Sequence, residues 1–384
     1  MPSRPSADGD RRGLRADPPA EPAPGGGQSL AKRIRDEIAA NGPMSLARFM
    51  ELALYHPEHG YYTRADRPIG RTGDFYTSVS VGRLFGELLA RRFATWLDRL
   101  AGPVQIIEAG AHDGRLAADI LVALDRIAPA LRSRTEYWIL EPLARRREGQ
   151  VQTLATWANR VRWFADWREI AIPVQGVIFG NELLDAMPVH RWSWDAARGG
   201  WQAIGVGLDG DHFTWVPLAQ PGDGASHPEF PAELADVLPD GYVIETSPAA
   251  ESWWHAAAEA LEHGWLLAID YGHDTPDRWS PARTGGTFRG YRGHRESPDP
   301  LAHPGEQDLT AHVDFGAIRR AGERAGLQTE VFCSQEQFLT TVLSELSRDA
   351  AAMAAWSAPE RRQLMTLLHP QHFGRAFRVL VQRR

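Results

Sequence analysis

The stretch VQIIEAGAHDGRLAADILVAL, residues 104–124, joins a short apolar run of β type to a glycine-bearing loop and then to an amphipathic helix. An acid, Glu108, stands where the strand stops. This is the layout of a nucleotide-type cofactor site: Gly110 and Gly114 let backbone approach a ligand, and the unpaired N–H groups of a helix N-terminus favour a carboxylate or phosphate. A dinucleotide fold asks for three glycines, because pyrophosphate lies against backbone, and here His112 occupies the middle position. S-adenosylmethionine carries no phosphate, so a tight turn with two glycines and some polar partners suffices for it. On this loop alone a plain strand-to-helix turn also stays open.

Working outward, apolar runs at 136–141, 161–164, 175–180 and 265–270 alternate with helical patterns at 143–159 and 248–263. Strands alternating with crossover helices imply an α/β fold, a doubly wound and mainly parallel sheet with helices on both faces. Two acids end strands in the right order for a nucleoside. Glu141, in EYWILEP, is placed to accept ribose hydroxyls, and Asp166 with Trp167, in RWFADW, could take the adenine amino group and stack on the ring. Each alone also fits a solvated strand end or a cap.

In GVIFGNELLDAMPVHRW an apolar strand ends at Gly180, and Asn181, Glu182 and Asp185 follow at the sheet edge where open α/β folds bind ligands. Methyl transfer from a sulfonium is an in-line displacement, catalysed mainly by positioning and charge placement. A guanidinium acceptor stays protonated in water, so carboxylates must hold and polarise it. Glu182 and Asp185 are the candidate pair, with Asn181 beside them; caps of the following turn are the plainer alternative. Upstream, in PIGRTGDFYTSVSVGRLF, Gly73, Asp74, Thr77 and Ser78 precede a helix expected from about 81 to 100 and could close over the cofactor carboxylate.

Before that loop, residues 28–100 open with two helical patterns broken at Asn41, Gly42 and Pro43, with Ser45 as N-cap of the second, and read as a helical cofactor-lid region. Residues 101–384 read as the Rossmann-like domain, with insertions at about 189–245 and 273–312. The first insertion, rich in Trp and punctuated by Gly and Asp, suggests short antiparallel strands. The second is poor in aliphatic residues and reads as a long functional or mobile loop. Within and around it Asp270, Tyr271, Arg289, Tyr291, Arg292 and Asp314 are close only in sequence, and a solvated loop is the favoured reading.

Composition bounds the function. The 384 residues, 43% hydrophobic, suffice for a large core. A net charge of -7 argues against general affinity for nucleic acid, and no apolar run reaches the length of a membrane span. The single cysteine, Cys333, excludes an internal disulfide. His56 and His59 lack companion ligands and HExxH is absent, so no metal is expected; nor is there a GxSxG elbow or a Walker loop. Residues 1–27 read as a disordered tail without the apolar run of a signal peptide. Its acids Asp8, Asp10, Asp17 and Glu21 depart from a mitochondrial transit peptide, which leaves a cytoplasmic location as the expectation.

Taken in order, the strings GYY, GDFYTS, FGELL, EAGAHDGRLAADIL, NELLDAMPVH, ETSP, IDYGH, GTFRGYRGHR, PGEQDLTAHVDF and SQEQFL resemble the MidA-like methyltransferases, over about residues 30–345. The resemblance implies a class I S-adenosylmethionine-dependent methyltransferase fold. For the family's mitochondrial members, which assist assembly of respiratory complex I, it implies a protein arginine acceptor on a complex I subunit. The chain departs from the family's E-x-G-P-G-x-G-x-L loop at Ala111 and His112, and has Val79 where Pro often follows TS.

The leading reading is therefore a protein arginine methyltransferase using S-adenosylmethionine. A small-molecule O- or N-methyltransferase, a non-catalytic assembly factor that keeps the cofactor fold, and a nicotinamide dehydrogenase are the alternatives. A homodimer is compatible with any of them.

Overall fold

The computed structural model describes residues 29–64, 78–222, 225, 227–280, 283–293, 295–346 and 356–384. The tail at 1–27 and three expected cofactor residues, Gly73, Asp74 and Thr77, lie outside them.

A central sheet carries strands β1 (Val104–Ala109), β2 (Thr135–Leu140), β3 (Val161–Phe164), β4 (Val174–Asn181), β5 (Leu261–His273), β6 (Gln328–Ser334) and β7 (Phe377–Arg383) in the order β6-β7-β5-β4-β1-β2-β3. Strands β5, β4, β1, β2 and β3 are mutually parallel, whereas β7 runs antiparallel to both β5 and β6. The chain turns outward in both directions between β1 and β4. That is the switch point at which open α/β sheets leave a crevice beyond their strand ends.

Period-two alternation divides the sheet between two cores. Val104, Ile106, Tyr137 and Ile139 pack under helices α3 (Leu84–Leu97), α4 (Arg115–Ile127) and α8 (Gln335–Leu346). Ile107, Ala109, Trp138 and Leu140 pack on the other face under α6 (Pro248–Ala260) and α7 (Phe315–Arg324). Helix α5 (Ala144–Thr153) is shorter than the pattern at 143–159 suggests, because the chain tightens into a 3-10 turn at Ala155–Trp157.

The N-terminal helices and the two insertions meet beyond the strand ends. Strands His190–Asp195, Gly200–Asp209, His212–Pro217 and Val243–Thr246 pair antiparallel, as expected for the first insertion, and Met44–Ser45 adds to Gly200–Asp209. Helices α1 (Leu30–Asn41) and α2 (Leu46–Tyr55) bury Ile34, Phe49, Met50 and Leu54 together with Val206, Phe288, Leu301 and Leu309. Ser45 caps α2, accepting the Arg48 N–H at 3.2 Å. The second insertion is not the loop its composition suggests. It holds a helical turn, Thr275–Arg278, and antiparallel strands Arg289–Arg292, Arg295–Glu296 and Asp308–Thr310. Its few aliphatic residues are enough because Leu301, Leu309 and Ala311 are all buried against the N-terminal helices. Among the described residues no helix is long and apolar enough to cross a membrane.

Candidate active site

A cavity of about 450 Å³ opens beyond β1, β2 and β4, within the range of small-molecule sites. Its wall includes Glu108, Gly110, His112, Glu141, Asp166, Trp167, Asn181, Glu182 and Asp185, so most of the residues singled out by the sequence converge there. Tyr55, Tyr62, Val79 and Ser80 from the N-terminal region and Asp308 from the second insertion complete it.

At one end the loop after β1 adopts left-handed backbone at Gly110 (φ 71), His112 (φ 50) and Gly114 (φ 80). At Gly110 a side chain would meet Leu183 Cδ1 at 2.9 Å, so glycine lets the turn after β4 pack on the loop after β1. Glu108 is buried and accepts the Tyr137 hydroxyl at 2.6 Å. Burial lifts its carboxyl to about 8 against the pull of that bond. Glu141 is buried at the end of β2, where its two oxygens accept the Leu143 N–H at 3.1 Å and the Gln150 amide at 3.3 Å. Gln150, which sequence reading did not single out, also donates to the His112 carbonyl at 3.0 Å and accepts the Trp163 indole at 3.1 Å. One buried amide thus ties the glycine loop to the acid of the next strand. An inward Gln on the helix after β2 was the available signal.

Three expected residues behave differently. Asp166 lines the cavity, but both its oxygens bond Arg168, at 2.8 and 2.9 Å, which holds its carboxyl down to about 2. Gly114 is not part of the cavity wall; it caps α4. Ser78 turns its hydroxyl to Gln335 and its backbone N–H to Glu182, at 3.0 Å, so it holds an acid rather than closing over the cavity. Trp167 lies in the wall, 5.7 Å from Trp253, and its buried indole N–H has no partner among the described residues.

At the other end, the turn after β4 carries Glu182 in left-handed backbone (φ 52), a conformation that is strained for a non-glycine residue and recurrent at functional sites. Its Oε1 accepts both the Ser78 N–H and the Asn181 amide at 3.1 Å. The buried Asn181 Oδ1 has no partner among the described residues. Beneath the turn, Asp270 Oδ2 accepts the N–H groups of Leu183, Leu184 and Asp185 at 3.1, 2.8 and 3.3 Å. Asp270 is therefore the residue that shapes the turn. Asp314 instead caps α7 and pairs with Arg278 at 3.1 Å, while Arg289 and Arg292 pair with Glu296 and Glu306.

Burial lifts Glu182 to about 8 and Asp270 to about 7. It also pushes Asp185 well above the ordinary carboxylate range, assisted by Asp270, Asp308 and Glu182 nearby. Carboxyls this close cannot all ionise in an apolar wall, and a cation entering among them would favour their charged forms. This end of the cavity suits a positively charged guest. The other end, with buried acids at two strand ends, an indole and an unpartnered donor, fits a nucleoside bearing an amino-acid tail.

Comparison with known proteins agrees. The model of an S-adenosyl-L-methionine-dependent methyltransferase family matches residues 88–333. A mouse protein named protein arginine methyltransferase NDUFAF7, mitochondrial, is 28% identical, covering 91% of this chain and 83% of its own. Its Drosophila melanogaster homologue is also 28% identical, covering 93% and 85%. A solved Burkholderia thailandensis protein bound to S-adenosyl-homocysteine is 34% identical, with a TM-score of 0.79 and 92% of each chain covered. The relatives are named as mitochondrial, which overturns the cytoplasmic location expected from the N-terminal composition.

Proposed function

Since the chain belongs to this family and is an S-adenosylmethionine-dependent methyltransferase, we propose that its acceptor is an arginine of a protein. The observation that carries this reading is the gathering of Glu182, Asp185 and Asp308 in one end of the cavity wall, where a cationic guest would favour the charged forms that burial opposes. The names of the mouse and fly relatives support it. The family resemblance makes a respiratory complex I subunit the first substrate to test.

In this reading Glu108 and Gly110 hold the amino-acid end of the cofactor, Glu141 the ribose, and Trp167 the adenine. Helices α1 and α2 and the residues just after them act as a cover, with Tyr55 and Tyr62 in the wall; α3 belongs to the core under the sheet instead. When bound, S-adenosylmethionine supplies the methyl group: its S–CH3 bond breaks as an N–CH3 bond forms, leaving S-adenosylhomocysteine. Glu182 and Asp185 orient the guanidinium, and one of them takes the proton that the methylated nitrogen loses before passing it to water. Asn181 fixes Glu182 through its amide.

The test is to incubate the protein with labelled S-adenosylmethionine and a lysate from cells lacking it, and to identify the labelled species by mass. Label on protein arginine is expected. Label only on small molecules would overturn the arginine reading.

A further inference from the structure

The second insertion brings one acid into the cavity that neither the strand pattern nor the glycine loop points to. Asp308 is buried, lies in the cavity wall, and opens the strand Asp308–Thr310. Two backbone connections fix its place. On one side the strand pairs antiparallel with Arg289–Arg292, Tyr291 opposite Asp308. On the other, the N–H of Ala311 donates to the carbonyl of Asp185 at 2.9 Å. The spacing between Asp185 and Asp308 is thus set by main-chain bonds rather than by flexible side chains.

The Asp308 carboxylate is oriented as well. Its Oδ1 accepts the Tyr62 hydroxyl at 2.7 Å. Tyr62 is itself held by Arg146, whose guanidinium lies 5.2 Å from the ring centre and whose Nε donates to the Tyr62 carbonyl at 3.2 Å. Burying a second carboxylate beside Asp185 is costly, and Asp308 is one of the groups that push Asp185 upward. A fold that imposes this cost with two backbone anchors and an oriented hydroxyl has a use for it.

We propose that Asp308, aligned by Tyr62, is a second acceptor-holding carboxylate that works with Asp185 to grip a planar cation. A guanidinium presents five N–H donors in one plane. One carboxylate engages one edge of that plane. A second, carried on another segment, engages a second edge and leaves one nitrogen directed toward the methyl donor. The proposal rests on the arginine reading, and it makes Asp308 the element that separates a planar cation from a neutral acceptor of the same shape.

The experiment uses the full chain saturated with S-adenosylhomocysteine and titrated calorimetrically with millimolar N-acetyl-arginine amide or its neutral isostere N-acetyl-citrulline amide. Wild type is expected to prefer the arginine compound. Asp308→Asn, which keeps volume and an acceptor for Tyr62, is expected to weaken arginine binding roughly 30-fold, as for one partner lost from a buried charge pair. Its S-adenosylhomocysteine affinity, unchanged, shows that the site is folded. Tyr62→Phe is expected to produce a smaller loss of the same kind. If wild type prefers arginine and Asp308→Asn keeps that preference, the role of Asp308 is overturned while the arginine reading stands. If wild type itself shows no preference, both fall.

Discussion

The carboxylate of Asp270, on β5 one residue past its last pairing with β4, accepts the backbone N–H of Leu184 at 2.8 Å, in the turn after β4. The neighbouring N–H groups of Leu183 and Asp185 converge on the same oxygen. Two parallel strands are joined in register by the sheet, and this acid extends the joint beyond their last pairing. The positions of Glu182 and Asp185 follow from it, since both side chains stand on the turn that Asp270 caps.

Removing the cap should be felt first as instability. In Asp270→Ala four backbone N–H groups, those of Leu183, Leu184, Asp185 and Tyr271, lose their carboxyl acceptor, and the expected cost is about 3 kcal/mol, a lower midpoint in urea at unchanged slope. Asp270→Asn retains one acceptor oxygen and should lose about half as much. An alanine variant that unfolds at the wild-type midpoint would remove Asp270 from the account of the turn.

Stability should also depend on pH in a definite direction. Burial lifts Glu108 and Glu182 from their ordinary value of 4.5 to about 8, so the folded chain keeps protons that the unfolded chain releases. Their contribution is complete below about pH 4.5 and is lost as pH rises toward about 8. The melting temperature of the ligand-free protein should therefore fall across that window, and less steeply in Glu182→Gln. An equally steep fall in that variant would contradict the assignment.

Gln150 predicts a coupled loss. Gln150→Leu leaves the Trp163 indole without its acceptor and frees both the His112 carbonyl and one oxygen of Glu141. Binding of S-adenosylhomocysteine, followed by calorimetry, should weaken roughly 10-fold, about 1.4 kcal/mol. Unaltered binding would show that the glycine loop keeps its shape without this amide.

His112 holds left-handed backbone with a half-exposed ring whose ionic neighbour is Asp113, at 3.7 Å. Replacing it by glycine removes the cost of that conformation for a side chain, about 1 kcal/mol, and should raise rather than lower both stability and S-adenosylhomocysteine affinity. A fall in affinity would mean that the imidazole itself contacts the cofactor.

These relationships differ in how far they could be seen beforehand. The strand run at 104–109, the turn at Gly110 and the acids Glu108 and Glu141 were legible because each is written within a few residues, in apolar periodicity and in punctuation by glycine. Asn181, Glu182 and Asp185 were visible as a cluster for the same reason. Gln150 was hidden because one inward polar residue on a helix looks like any other until its partners are in place. The second insertion was misjudged because its order comes from neighbours: Leu301 and Leu309 are buried in one cluster with residues of α1, α2 and the first insertion.

By itself, then, the sequence determined the alternating sheet, the side of it that binds a ligand, and the acids that end its strands, since local periodicity and strand-end position suffice for those. Only the tertiary structure decided which acids stand together. Ser78 was turned from the cavity to Glu182, Asp270 became the cap of the turn after β4, and Asp308 was delivered beside Asp185 by a segment with no periodic signal of its own. The reason is physical. A carboxylate's partners and its protonation depend on what surrounds it within a few ångströms, and those surroundings exist only once strands distant in sequence have paired.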